Sequence, residues 1–486
     1  MIISAKEIED EVSSALDSCC KDLPESILTE FIKARDIEDR YLSRIIFDIL
    51  IENAFIAHDL RIPICQDTGI DVVFVEIGKD TKIDGDLIKA INNGLSIGTK
   101  KGLLRASVCD PITRKNTGDN TPGVIHIDLV EGDSLSIKIL PKGCGSENMS
   151  ALKMLSPSYG IEGIIDFVVS HVKSAGPNPC PPGIIGVGIG GTMDKAAFLS
   201  KKALLRPIGV YNEREDIKEI EKAIFDKINS LGIGPLGFGG KTSCLWVSVE
   251  TYPCHIASLP VSVNIQCHAA RVSEILWKDG KVFKKYLKSD DYFSNLKGFD
   301  VKGSFKDVKY IELPFKEEDI KGLRAGDCVF LSGHMLTGRD QTHRRILEEI
   351  KKGNRLPFSL KNETIYYVGP TPAPEGFAIG SCGPTTSYRM DAYMPMMLDL
   401  GIKATIGKGK RSKDTIKQMK NNGAIYLATI GGAGAYLSKC VKKAELIAFE
   451  DLGPEALFKL EVKDFPAIVI NDIFGEDFYE NTLRNF

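Results

Sequence analysis

Between about Trp277 and Lys309 the hydrophobic periodicity of the chain breaks off. The stretch WKDGKVFKKYLKSDDYFSNLKGFDVKGSFKDVK is rich in lysine and aspartate and holds only short apolar pieces. A solvated connector of that length inside 486 residues obliges the chain to bury its apolar groups as two units. The expectation is a larger unit over residues 1–280, a linker over 281–304 and a smaller unit over 305–486, each long enough to hold a core.

The two units differ in texture. The first sixty residues carry apolar side chains at three-to-four spacing through Leu28, Phe31, Ile32, Ile45, Ile46, Ile49, Leu50 and Ile51, which predicts helices. Pro63 ends that run, and Asp67-Thr68-Gly69 reads as a turn. Strand patterns follow at 71–78, 124–130 and 135–140, with Glu131-Gly132-Asp133 suited to a hairpin between the last two. A helix is expected over Met193–Leu205, then strands at 246–250 and 260–265. The second unit alternates short apolar strands (DCVFLSG, IYYVGP, KATIGKG, AIYLATIGG, AIVIND) with helical patches at Gln341–Lys351 and Ser412–Asn421. The fold class is therefore a larger mixed α+β unit joined to a smaller α/β unit.

Lysine and arginine number 62 against 65 acidic residues, a net charge of −3, so no basic field draws nucleic acid or an anionic membrane. No uncharged apolar run reaches the ~18 residues of a membrane span. The start MIISAKEIED lacks the basic and apolar regions of a secretory signal, so a cytoplasmic location and reduced thiols are expected.

Three of the twelve cysteines stand apart by context. Cys65 lies in PICQDTG, Cys180 in PNPCPPG, where prolines forbid helix and interior strand, and Cys267 follows a strand in QCHAAR. Rigid loops of this kind aim a thiolate at a cavity; scattered buried thiols are the alternative. The absence of CxxC spacing argues against a zinc ribbon. An iron–sulfur cluster tolerates distant ligands, and three cysteines for four irons leave one iron open to substrate. Cationic side chains also gather in Gly/Thr/Pro-rich loops at Arg105, Arg339, Arg389 and Lys408, a setting suited to small carboxylates. Gly186–Gly191 satisfies GxGxxG, but it follows a proline cluster and lacks the acidic residue of a dinucleotide site. Gly401–Gly409 has the wrong spacing for a P-loop.

Over nearly its full length the chain resembles the class I (iron–sulfur) fumarate hydratases and the related L(+)-tartrate dehydratases, with their larger and smaller subunits fused. The motifs are CQDTG (65–69), LRASVCDPITRKNTGDNTPGVIH (104–126), KGCGSENMSALKML (142–155), PNPCPPGIIGVGIGGTMDKAAFLSKKALLRP (177–207), CHIASLPVSVNIQCHAAR (254–271), LSGHMLTGRDQTHRR (331–345), GPTTSYRMD (383–391) and IGKG (406–409). The resemblance implies a swivelling C-terminal domain closing over a cluster-bearing one, neither active alone, in a homodimer. It implies Cys65, Cys180 and Cys267 as ligands of a [4Fe-4S] cluster, with Cys109, Cys144, Cys244 and Cys254 not ligating.

The implied reaction is reversible hydration of fumarate to (S)-malate, a step of the tricarboxylic acid cycle, with an open iron as Lewis acid. Gln66, Arg105, Gly145, Arg339, Arg389 and Lys408 match positions that hold a small dicarboxylate. Thr385 matches the base, with Asp67 and His255 as further proton acceptors or donors. L-tartrate to oxaloacetate, or hydration of mesaconate, is the alternative on the same scaffold, since one added hydroxyl or methyl is decided by pocket shape. A cluster-containing regulatory or RNA-binding protein is a third possibility, which the charge balance disfavours.

Overall fold

The computed structural model describes residues 1–285 and 301–484. Helices Ala5–Lys21, Glu25–Ile37 and Tyr41–Asp59 account for the periodic N-terminal run. Ser4 caps the first, its hydroxyl accepting the Glu7 N–H at 3.1 Å. The third is apolar almost all round, because elements of both halves of the chain pack on it.

The strands of the first half are β1 (Ile2–Ser4), β2 (Ile70–Gly78), β3 (Lys82–Asp84), β4 (Val124–Val130), β5 (Leu135–Lys142), β6 (Ala151–Leu155), β7 (Gly183–Gly190), β8 (Cys244–Tyr252), β9 (Leu259–Gln266), β10 (Ser273–Lys278) and β11 (Lys281–Lys284). Among the described residues they form a mixed sheet of order β11-β10-β5-β2-β4, a second of order β6-β9-β7-β8, and a small β1–β3 pair.

Two expectations are corrected here. The chain bends at Glu131–Asp133, but the strands it joins are not a hairpin: β4 runs parallel and β5 antiparallel to β2, which lies between them. The end of β2 passes beneath the bend, where Gly78 N–H donates to Ser134 O at 2.7 Å and Lys79 N–H to Val130 O at 2.9 Å. The lysine-rich connector also begins later than its composition suggests. Trp277 is buried, with its indole N–H donating to Glu7 at 2.8 Å, and β10 and β11 pair as a hairpin. Lysines on such an outer strand guard an open sheet edge rather than marking a loop. Residues 286–300 of the expected linker lie outside the described residues.

The glycine-rich segment 186–191 falls in and just after β7. A Cβ on Gly188 would lie 2.1 Å from the carbonyl oxygen of Ala196, so the glycine lets helix Met193–Ala203 lie directly on the strand.

The second half contains β12 (Lys309–Leu313), β13 (Cys328–Thr337), β14 (Thr364–Tyr366), β15 (Ala404–Gly407), β16 (Ile425–Ala428), β17 (Val441–Ala448) and β18 (Leu457–Asn471). Strands β12 to β16 pair in parallel one after another. The long β18 is antiparallel to β16, β17 and β13 together, so the sheet curls back on itself. Burial on both faces explains why these strands read as continuous apolar runs. Helices Asp340–Lys351 and Lys413–Asn421 fall where the periodicity put them, Ser412 capping the second. One apolar core runs through both halves, joining Phe31, Phe47, Cys65 and Leu236 to Met394, Tyr426, Ile430 and Ala433. Among the described residues no helix is long and apolar enough to cross a membrane.

Candidate functional site

The carboxyl ends of consecutive parallel strands form a crevice in open α/β sheets, and loops there carry function. Four such ends matter here. Arg339 follows β13, Tyr367–Gly369 follow β14, Lys408 follows β15, and Thr429–Gly434 follow β16. The sequence pattern ran this last segment on as strand, yet β16 ends at Ala428. Gly432 has φ +81°, and a Cβ there would strike the His268 ring at 2.2 Å. The turn therefore lies flat against the loops of the first half.

Those loops carry the three cysteines. Cys65 lies in the segment before β2, Cys180 in the proline loop before β7, and Cys267 directly after β9. Because Ile184 of β7 pairs with Gln266 of β9, the last two loops leave the same end of one sheet. Cys180 has φ +60°, an unusual conformation for a residue with a side chain, held by its N–H donating to Pro177 O at 3.2 Å. The second half seals them in. Gly434 N–H donates to Ile64 O at 3.0 Å, His268 Nε2 lies 2.9 Å from Gly431 O, and a Cβ on Gly431 would sit 2.6 Å from Cys180 Sγ.

The three thiols share one electrostatic neighbourhood. Burial pushes the Cys65 thiol up to about 11, with Asp67 and Cys267 adding to the rise and Arg271 and Lys408 opposing it. Burial likewise raises Cys180, against Lys408, whose Nζ donates to its sulfur at 2.8 Å. Burial disfavours the charge on Lys408, but Cys180, Cys65 and Cys267 outweigh it and raise it well above the usual lysine range. Among the described residues no three His, Cys, Asp or Glu side chains converge as a chelate for a metal ion.

Most of the anion-binding candidates join this group through direct contacts; among the described residues Arg389 is tied only to Asp340. Gln66 donates to Pro384 O at 3.1 Å, beside Thr385. Thr385 is buried, and its N–H bonds to Tyr367 O at 2.7 Å. Arg105 donates to Asp67 Oδ1 at 3.2 Å and to Gly369 O at 2.7 Å, while Asp67 Oδ2 accepts the Gly145 N–H at 3.3 Å. Burial opposes charge on Asp67, but Arg105, Arg271 and Lys408 outweigh it and hold its carboxyl at about 2. Burial lowers Arg105 to about 10, and the neighbouring Arg339 adds to the fall. A Cβ on Gly369 would lie 2.4 Å from Arg339 Nη1, so the two guanidinium groups flank one glycine. Arg339 Nη2 is 3.6 Å from Glu455, and Arg389 Nη2 is 2.9 Å from Asp340 but out of line for a hydrogen bond. Lys408 approaches Gly145, where a Cβ would sit 3.0 Å from Nζ.

His255 is placed elsewhere. It lies on the exposed loop between β8 and β9, where its Nδ1 accepts the Ala257 N–H at 3.2 Å beside Ile256, 91% exposed. Sequence reasoning had not singled out Arg271, His268, Lys142 or the turn after β16. Arg271 lies four residues after Cys267, and that position was the one signal the sequence held for it. It is buried, and its Nη2 donates to Asp67 O at 2.7 Å and Pro141 O at 3.4 Å.

Cations in buried or half-buried loops beside shielded thiols define an enzyme site that handles small anions. A family model described as fumarate hydratase (Fumerase) matches residues 9–275, and one for the fumarase C-terminus matches 285–482. Fumarate hydratase 2 of Leishmania major is 32% identical over 92% of this chain and 82% of its own length. The aerobic class I fumarate hydratase of Escherichia coli K12 is 30% identical, over 88% and 81% respectively. A protein of Methanocaldococcus jannaschii assigned as an L(+)-tartrate dehydratase alpha subunit is 45% identical over 51% of this chain and 90% of its own length. The chain belongs to the class I fumarate hydratase family, and it is a hydro-lyase.

Proposed function

We propose that the chain hydrates fumarate to (S)-malate reversibly, using a [4Fe-4S] cluster held by Cys65, Cys180 and Cys267. The observation that carries the proposal is Lys408, at a parallel strand end, on Cys180 in one neighbourhood with Cys65 and Cys267, with Arg105 bonded to the Asp67 turn beside them. The donor set fits the cluster: three thiols in one neighbourhood suit iron–sulfur ligation, and Arg271 Nε and Nη1 and both side-chain polar atoms of Gln266 are buried there without hydrogen-bond partners. When bound, the cluster supplies Lewis acidity for departure of the hydroxyl group.

The chain's own residues do the rest. Arg105, Arg339, Arg389 and Lys408 bind and orient the carboxylates, with Gln66 and the Gly145 N–H as neutral donors. In the dehydration direction the Thr385 hydroxyl passes its own proton to Asp67, its alkoxide takes the proton from the carbon beside the distal carboxylate, and charge then builds on that carboxylate. Fixed guanidinium groups meet that charge more strongly in the transition state than in the ground state. Asp67, ionised at neutral pH, balances the surrounding cations and accepts or returns protons. Packing of the glycine turn after β16 on the cysteine loops keeps water out. A homodimer working in the cytoplasm is part of this proposal and rests on the family resemblance.

The M. jannaschii relative supports a second reading, L-tartrate dehydration. Anaerobic kcat/KM values for fumarate, (S)-malate, L-tartrate and mesaconate decide between them. Fumarate and malate are expected to lead by at least tenfold; a lead for L-tartrate overturns the assignment.

A further inference from the structure

Arg271 is among the largest fully buried side chains of the protein, 1% exposed, and one end of it is a structural tie. Its Nη2 holds Asp67 O, in the turn that carries Cys65, and Pro141 O, at the end of β5 just before the Gly143–Gly145 segment. Arg271 itself belongs to the segment of Cys267. One guanidinium therefore knits together the carriers of two cysteines and of the Gly145 N–H. Its other end is unpartnered: Nε and Nη1 are buried and bond to no atom of the described residues. The groups around it are Cys20, Cys65, Cys267 and Asp67, all anionic when ionised, and their charges outweigh burial to keep it protonated. A buried donor with no acceptor is destabilising, so a fork left open among thiols points to a sulfur acceptor.

We propose that Arg271 is a positioning and charge-compensating residue for the cluster, donating its free N–H groups to cluster or cysteine sulfur and thereby raising the reduction potential and slowing cluster loss. The inference rests on the cluster assignment made above. Hydrogen bonds and positive charge at the sulfurs stabilise the reduced, more negative state, which is why such contacts set the potential of an iron–sulfur centre.

The test compares wild type, Arg271→Gln and Arg271→Lys after anaerobic reconstitution. Readouts are iron and sulfide content, the dithionite-reduced EPR signal and its midpoint potential, and the rate of absorbance loss in air. Arg271→Gln, having lost charge and fork, is expected to show a more negative midpoint and at least threefold faster bleaching. Arg271→Lys, keeping charge without the fork, is expected to fall between it and wild type. Circular dichroism of the cluster-free proteins reports folding; if Arg271→Gln does not fold, Arg271→Lys decides by the same midpoint measurement. A folded, loaded variant with the wild-type midpoint and bleaching rate overturns the inference. Wild type that takes up no iron or sulfide overturns the cluster assignment instead.

Discussion

Asp71 offers a quantitative test of how the site is held. It stands near the start of β2, four residues after Asp67, and is 1% exposed. Asn120 Nδ2 donates to Asp71 Oδ2 at 3.0 Å and to Gly69 O at 3.2 Å, while Asn120 Oδ1 accepts the N–H of Ser107, next to Arg105. Asp71 thus anchors the residue that ties the Asp67 turn to the Arg105 loop. Burial raises its carboxyl from 3.8 to about 7, against the pull of Asn120 and Arg271. A folded value above the unfolded one means the stabilising protonated state is complete below pH 4 and is lost as pH climbs through 7. The loss runs at about 1.36 kcal/mol per pH unit between those limits, roughly 2.5 kcal/mol between pH 5 and 8. Asp71→Asn removes this dependence, because the amide does not titrate. It also strands a buried amide where Asp71 Oδ1 already lacks a partner, at a fixed cost of about 1–3 kcal/mol. The pH-dependent difference is separate from that fixed cost. Urea unfolding of the cluster-free wild type and variant at pH 5 and pH 8 should show the variant gaining roughly 2.5 kcal/mol on wild type between the two. Parallel pH profiles for the two proteins would refute the reasoning.

Two further outcomes concern the site directly. Gly431→Ala places a Cβ 2.6 Å from Cys180 Sγ and 3.1 Å from Lys408 Cδ, so the turn must shift off the cysteine loop. Iron bound after reconstitution is expected to fall well below wild type, with the fold kept by circular dichroism. Arg389→Ala removes a donor whose effect grows as carboxylate charge develops, so kcat should fall by about 10²-fold or more while KM rises; kcat left intact would assign the stabilising role to another residue.

Most of the fold is legible in the sequence because the patterns are local. Helix Tyr41–Asp59 and the apolar runs of β13 and β16 follow from periodicity and from burial on both faces. Strand order is different in kind. Nothing in VIHIDLV or LSIKIL says that β2 will lie between them, since pairing is decided by which strand buries best in the middle. The three cysteines stand out in the sequence through their settings, proline and glycine around Cys65 and Cys180 and a strand end beside His268 at Cys267. Arg271 and the Thr429–Gly434 turn do not, because an arginine beside alanines and a glycine run after a strand acquire meaning only when a distant loop packs on them. His255 shows the converse: an imidazole in a cysteine motif reads as a base, while its loop carries it to the surface.

The central claim is that three cysteine sulfurs hold the group that makes hydroxide a leaving group. Its most direct measurement is anaerobic fumarate hydration by wild type and Cys180→Ser, with iron and acid-labile sulfide determined on the same samples. The account predicts a brown, active wild type with about four irons and four sulfides per chain, and a variant depleted in both with turnover lost. Undiminished turnover by the variant, or an active wild type free of iron, would contradict it.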